Sequence, residues 1–116
     1  MSTFEDVLGN FEDIIYSRSV DHTSYNDSEL VKGQLVFISG WCLEFIEFKS
    51  SEKHKYRFHL MDENDEMIER WDTAPHHQEL DNFPFHKHTQ KGIKSTDELK
   101  GTEILEHMCE KVLEKL

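Results

Sequence analysis

The chain has 116 residues, 36% hydrophobic and 32% charged, with a formal charge of −11. That length fits a single domain, residues 1–116, with one modest core, and the charge creates a field that repels nucleic acid. No stretch approaches the roughly 20 apolar residues of a membrane helix, the N-terminus is acidic where a secretory signal is basic, and Cys42 and Cys109 form neither a CxxC zinc pattern nor a redox pair, so a cytoplasmic protein with two small buried thiols is expected.

Phe4, Val7, Leu8, Phe11, Ile14 and Ile15 fall on one face at 3.6-residue spacing, with Ser2 and Glu5 set as a capping box, which predicts a helix over residues 3–17. Residues 18–31 are rich in Ser, Asp, Asn and Thr and predict a linker, with at most a short strand near Val20. From Gln34 the period changes. The runs Gln34–Ser39 and Trp41–Phe48 flank Gly40 and predict a hairpin; Tyr56, Phe58 and Leu60 alternate with polar neighbours, and Met67–Asp72 follows an acidic loop. Four consecutive strands over residues 34–72 predict an antiparallel meander. Residues 73–95 read as a histidine-rich loop, and Ile104, Leu105, Met108, Val112 and Leu116 form the stripe of a closing helix over 102–116, preceded by a second capping box, Ser95 to Glu98. The fold class expected is α+β, an antiparallel sheet of about four strands packed with an N-terminal and a C-terminal helix.

Chemistry concentrates between Arg70 and His88. Four of the eight histidines, His76, His77, His86 and His88, fall within thirteen residues, with Pro75 and Pro84 fixing the backbone beside them. From Asn82 to Thr96 there is no acidic residue, yet the window holds Lys87, Lys91 and Lys94. Imidazole holds neutral and charged forms side by side near neutrality, so paired histidines can supply a base and an acid together. In phosphoryl chemistry a neutral ring would take a ribose hydroxyl proton, a protonated one would donate a proton to the leaving oxygen, and Arg70 or Lys87 would balance charge on phosphorus, with no metal required.

Two other readings stand beside this one. In an extended backbone His86 and His88 point to one side and could share a metal ion with His76 or Asp72, the site of a metal-dependent hydrolase, although the spacing alone is weakly specific. Alternatively the histidines are solvated loop residues of a non-catalytic protein-binding module. Arg70 with Asp72 also fits a cross-strand ion pair, Arg57 and His59 fit the solvated face of a strand, Trp41 and Trp71 fit core or edge packing, and His22, His54 and His107 are expected on the surface.

Four strings carry a resemblance: Leu43-Glu44-Phe45 with Glu47, Tyr56-Arg57-Phe58-His59, Glu69-Arg70-Trp71-Asp72-Thr73-Ala74-Pro75-His76-His77, and Phe85-His86-Lys87-His88. Over residues 30–116 the chain resembles the TumE-type toxins of small prokaryotic type II toxin–antitoxin modules, most specifically in "RWDTAPHH" and "FHKH". The resemblance implies a toxin countered by a helix-turn-helix antitoxin, and by analogy with other small α+β toxins an endoribonuclease acting on RNA, free or ribosome-bound. It places the functional positions at Arg70, Asp72, His76, His77, His86, Lys87 and His88. No cofactor is expected; a second copy of the chain is a candidate partner and a membrane is not. Trp71 stands where the family pattern suggests Tyr, and the chain is more acidic than an RNA-cleaving toxin ordinarily is.

Overall fold

The computed structural model describes residues 3–73 and 84–116. It is an α+β structure with two α-helices and one seven-stranded antiparallel sheet in the order β1-β2-β3-β4-β5-β6-β7. The strands are β1 Ile15–Tyr25, β2 Ser28–Phe37, β3 Cys42–Lys49, β4 His54–Met61, β5 Met67–Asp72, β6 His86–Thr89 and β7 Gly92–Ser95; the helices are α1 Phe4–Val7 and α2 Gly101–Lys115. The expected four strands are therefore the middle of a longer meander, which gains β1 before them and β6 and β7 after.

Each departure has a local cause. The predicted helix over 3–17 ends as α-helix at Val7, continues as a 3-10 helix over Leu8–Ile14 broken at Phe11, and gives way to β1. Gly9 and Asn10 are poor helix formers in its middle, and the β-branched pair Ile14-Ile15 favours the strand that follows. The apolar face survives the change, with Phe4, Leu8 and Ile14 buried. Its cap is shifted by one residue, Thr3 N–H donating to the Asp6 carboxylate at 2.7 Å. The segment read as a linker contains β1 and the start of β2. Only Ile15 and Val20 of β1 are even partly buried, so the strand lacks the alternation that marks one on sequence, and Asn26 turns it into β2 at φ 54°.

The core lies between the helices and one face of β2–β5. Val31, Leu35, Phe37, Leu43, Phe45, Tyr56, Phe58, Leu60 and Trp71 meet Phe4, Leu8, Ile104, Leu105, Met108 and Val112. Phe4 sits at the centre, its ring 4.7 Å from those of both Phe45 and Phe58. Two expectations for α2 change: Leu116 is 69% exposed, and the Ser95–Glu98 box does not cap the helix, which starts from Lys100 with no side-chain cap. Ser95 instead ends β7. Among the described residues no helix is long and apolar enough to cross a membrane.

Candidate active site

Strand parity decides which side chains meet. On β5, Trp71 and Glu69 face α2: the Trp71 ring stands edge-on to His107 at 5.5 Å, and Glu69 receives His107 at 2.8 Å and Lys111 at 3.0 Å. Arg70 and Asp72 alternate with them and so face away from the helices. Register then builds two parallel rows on that face. One runs Glu44, His59, Arg70, His88, Ile93 across β3 to β7; the other runs Ile46, Arg57, Asp72, His86, Ser95.

Asp72 is the hub where the rows touch. Its Oδ1 lies 2.6 Å from His86 Nε2, and its Oδ2 lies 3.3 Å from His88 Nε2 and 3.1 Å from Arg70 Nε. The Arg70 contact is ionic, because Nε is off-line for a hydrogen bond, and Arg70 Nη2 reaches to 3.4 Å from His88 Nε2. The two imidazoles meet at 67° with centroids 4.8 Å apart. His86 Nδ1 is 2.9 Å from the Pro84 carbonyl, which can only accept, so that nitrogen carries a proton. His86 and Asp72 are almost wholly buried, whereas the Arg70 side chain is 33% exposed and that of His88 13%. The buried pair thus lies behind the two more accessible side chains.

Of the sequence-derived site residues, Arg70, Asp72, His86 and His88 come together. Arg70 and Asp72 stand on the expected strand, β5, but His86 and His88 stand on the strand paired with it and not on the loop expected over 73–95, since His86–Thr89 and Gly92–Ser95 form β6 and β7 around a turn with Gly92 at φ 130°. His76 and His77 lie outside the described residues. Lys87 points to the opposite face, 3.2 Å from Glu69 and 5.4 Å from the centre of the Trp71 ring, so it does not share a site with its two neighbours. The acid-free window in sequence is not acid-free in space, because β5 sets Asp72 and Glu69 against it.

Asp72, His86 and His88 offer ligand atoms all within 4.8 Å of one another, a spacing that could hold a metal ion. The guanidinium on the same carboxylate already supplies the balancing positive charge and would repel a dication, so the cluster is better read as an ion network around one carboxylate.

Four ionisable groups outside the expected set are built into the structure. His54, expected on the surface, is buried between Glu47 at 2.7 Å and Glu98 at 2.5 Å; burial opposes its charge, but the two carboxylates outweigh that and raise its pKa. Glu47, 2% exposed, also accepts from the Phe4 N–H at 2.7 Å and so anchors the start of α1. Burial works against the charged form of Glu69, yet hydrogen bonds from Lys111 and His107 and the charge of Lys87 leave its pKa lowered. His59 carries a buried Nδ1 with no hydrogen-bond partner, and burial, then Arg70, push its pKa down, Glu44 opposing and Arg57 adding. The alternation of Arg57 and His59 along β4 was the one signal for this last residue, and it reads equally as a solvated face.

Fold and cluster define a class, the small α+β protein with a His, Asp and Arg cluster on the sheet face turned away from its helices. The family model described as Toxin TumE matches residues 4–115, and the chain belongs to that family. No curated protein and no solved structure matches it.

Proposed function

We propose that the chain is the toxin of a type II toxin–antitoxin module and that it acts as a metal-independent endoribonuclease. Family membership supports the first half. The observation that carries the second is Asp72 holding Arg70, His86 and His88 at one carboxylate, with Arg70 and His88 on the accessible side. In this reading Asp72 and His86 are positioning residues, fixing the ring and guanidinium in front of them. Arg70 is the catalytic cation for charge developing on a phosphoryl group, and His88 the proton-transfer residue, with Asp72 placed to balance the charge when the ring carries two protons.

The cytoplasmic partners of this reading are RNA, free or ribosome-bound, and a helix-turn-helix antitoxin. A net charge of −11 suits a basic antitoxin surface. Purified protein incubated with cellular RNA in chelator is expected to cleave it, with His88→Ala and Arg70→Ala inactive. RNA that stays intact in chelator and is cut only with added divalent metal overturns the metal-independent assignment; RNA intact in both conditions overturns the nuclease.

A further inference from the structure

A proton-transfer site for ribonucleotide cleavage needs two groups on opposite sides of the phosphate, and His88 with Asp72 is one. We propose that His59 is the second: the general base that takes the proton of a ribose 2′-hydroxyl, with Arg70 between the two rings and the phosphodiester of RNA as substrate. The inference rests on the endoribonuclease reading and adds a residue and a division of roles to it.

Register places His59 opposite Arg70 on one side and His88 opposite Arg70 on the other, all three on the face away from the helices. Directly opposed residues on neighbouring strands have Cβ atoms about 5 Å apart, so the Cβ atoms of the two histidines stand about 10 Å apart with that of Arg70 midway and its guanidinium drawn toward His88. A phosphodiester bound across that span would lie over Arg70, with one ring on either side. His86 cannot serve as the base, because Nδ1 is committed to the Pro84 carbonyl and Nε2 to Asp72.

The surroundings of His59 suit a base as those of His88 suit an acid. Its Nδ1 is sealed and has no hydrogen-bond partner among the described residues, which leaves Nε2 for exchange. The charged groups around it are Arg57 on its own strand, Glu44 on β3 and Arg70 on β5; together with burial they favour the neutral ring. Among the described residues no carboxylate pairs with His59, whereas Asp72 Oδ2 lies 3.3 Å from His88 Nε2, so the two ends of the row differ in what faces the ring.

The reaction is a transesterification. The 2′-oxygen attacks the adjacent phosphorus, the P–O2′ bond forms as P–O5′ breaks, the 2′-hydroxyl proton passes to His59 Nε2, and O5′ leaves with a proton from His88. The products are a 2′,3′-cyclic phosphate and a 5′-hydroxyl, and neither water nor metal is consumed.

The test uses the full chain and an oligonucleotide carrying one ribonucleotide, in chelator. Wild type is expected to give a cyclic phosphate, with His59→Gln and His88→Gln each slower by a hundredfold or more. A second substrate replaces the bridging 5′-oxygen by sulfur, a leaving group that needs no proton. His88→Gln should recover on it and His59→Gln should not, a split that loss of structure in either variant cannot produce. Deletion of the limb of the pH profile that rises from acid in His59→Gln would agree. Activity of His59→Gln within a few-fold of wild type, or its recovery on the sulfur substrate, overturns the assignment while the endoribonuclease reading stands; an inactive wild type overturns both.

Discussion

Asp72 offers one carboxylate to three cationic or cation-forming groups, Arg70, His86 and His88, while itself buried. Asp72→Asn keeps the shape and removes the charge, and an amide cannot accept from all three. RNA cleavage by this variant is expected to fall on the order of a hundredfold, measured as kcat/KM, because ring and guanidinium lose their common support; wild-type activity would show the carboxylate to be structural. His54 gives a prediction of another kind. Its folded pKa lies above the ordinary value of 6.5, so its bridge between Glu47 and Glu98 contributes stability that is complete below that value and is lost as pH rises through the folded pKa. The difference in Tm between wild type and His54→Gln should therefore be largest in mild acid and shrink toward alkaline pH; a gap constant across that range would sink the idea. At this scale the sequence was legible where partners lie along a strand: His86 and His88, two apart, read as pointing to one side of an extended backbone, and Arg70 with Asp72 read as an ion pair, which joins neighbours on β5 and not residues across strands. It was misleading where partners come from elsewhere. Lys87 sits between the two histidines in sequence but on the other face in space, and His54 looked solvated because Glu47 and Glu98 reach it only through the hairpin and the approach to α2.

Gly33 on β2 has its neighbour β1 drawn close over it: an added Cβ would stand 2.3 Å from the Ser19 carbonyl oxygen and 3.2 Å from the Phe45 ring. Backbone cannot swing aside as a side chain can, so Gly33→Ala should cost about 1–3 kcal/mol by overpacking, read from denaturant unfolding, and should loosen β1 first in hydrogen exchange. An unchanged unfolding midpoint would contradict that close approach. On α2, Met108 is fully buried beneath the sheet, and Met108→Ala should cost about 2–5 kcal/mol. Elements with a buried face were the readable ones. The stripe of α2 and the alternation of Tyr56, Phe58 and Leu60 record what they pack against, and both elements lie where the spacing put them. β1, β6 and β7 were not readable, because edge or near-edge strands are held by ladder hydrogen bonds with little apolar burial, and composition alone then resembles a loop.

Across the whole molecule the sheet separates two electrostatic tasks. The helix side neutralises one buried carboxylate, Glu69, with Lys87, Lys111 and His107, and there the cations are spent on structure. The other side carries few permanent cations: Lys32, Lys55, Arg57 and Arg70 lie on it by register, within a chain of net charge −11. A single-stranded RNA crossing that face can exchange counterions only where it meets those side chains. Four phosphate contacts at about −0.7 each predict a slope of log K against log salt of about −3, shallower than a strongly basic RNA-binding protein shows. Long-range repulsion adds a second signature. Moderate salt screens the acidic body more than the local contacts, so the association rate should rise with salt at the low end while the dissociation rate also rises. Both quantities can be read in one set of stopped-flow or surface-binding measurements on an RNA whose 2′-oxygens are methylated, which binds but cannot be cut. A slope near −5 or beyond, with association that only slows as salt is added, would mean that RNA is gathered by a basic surface other than this face.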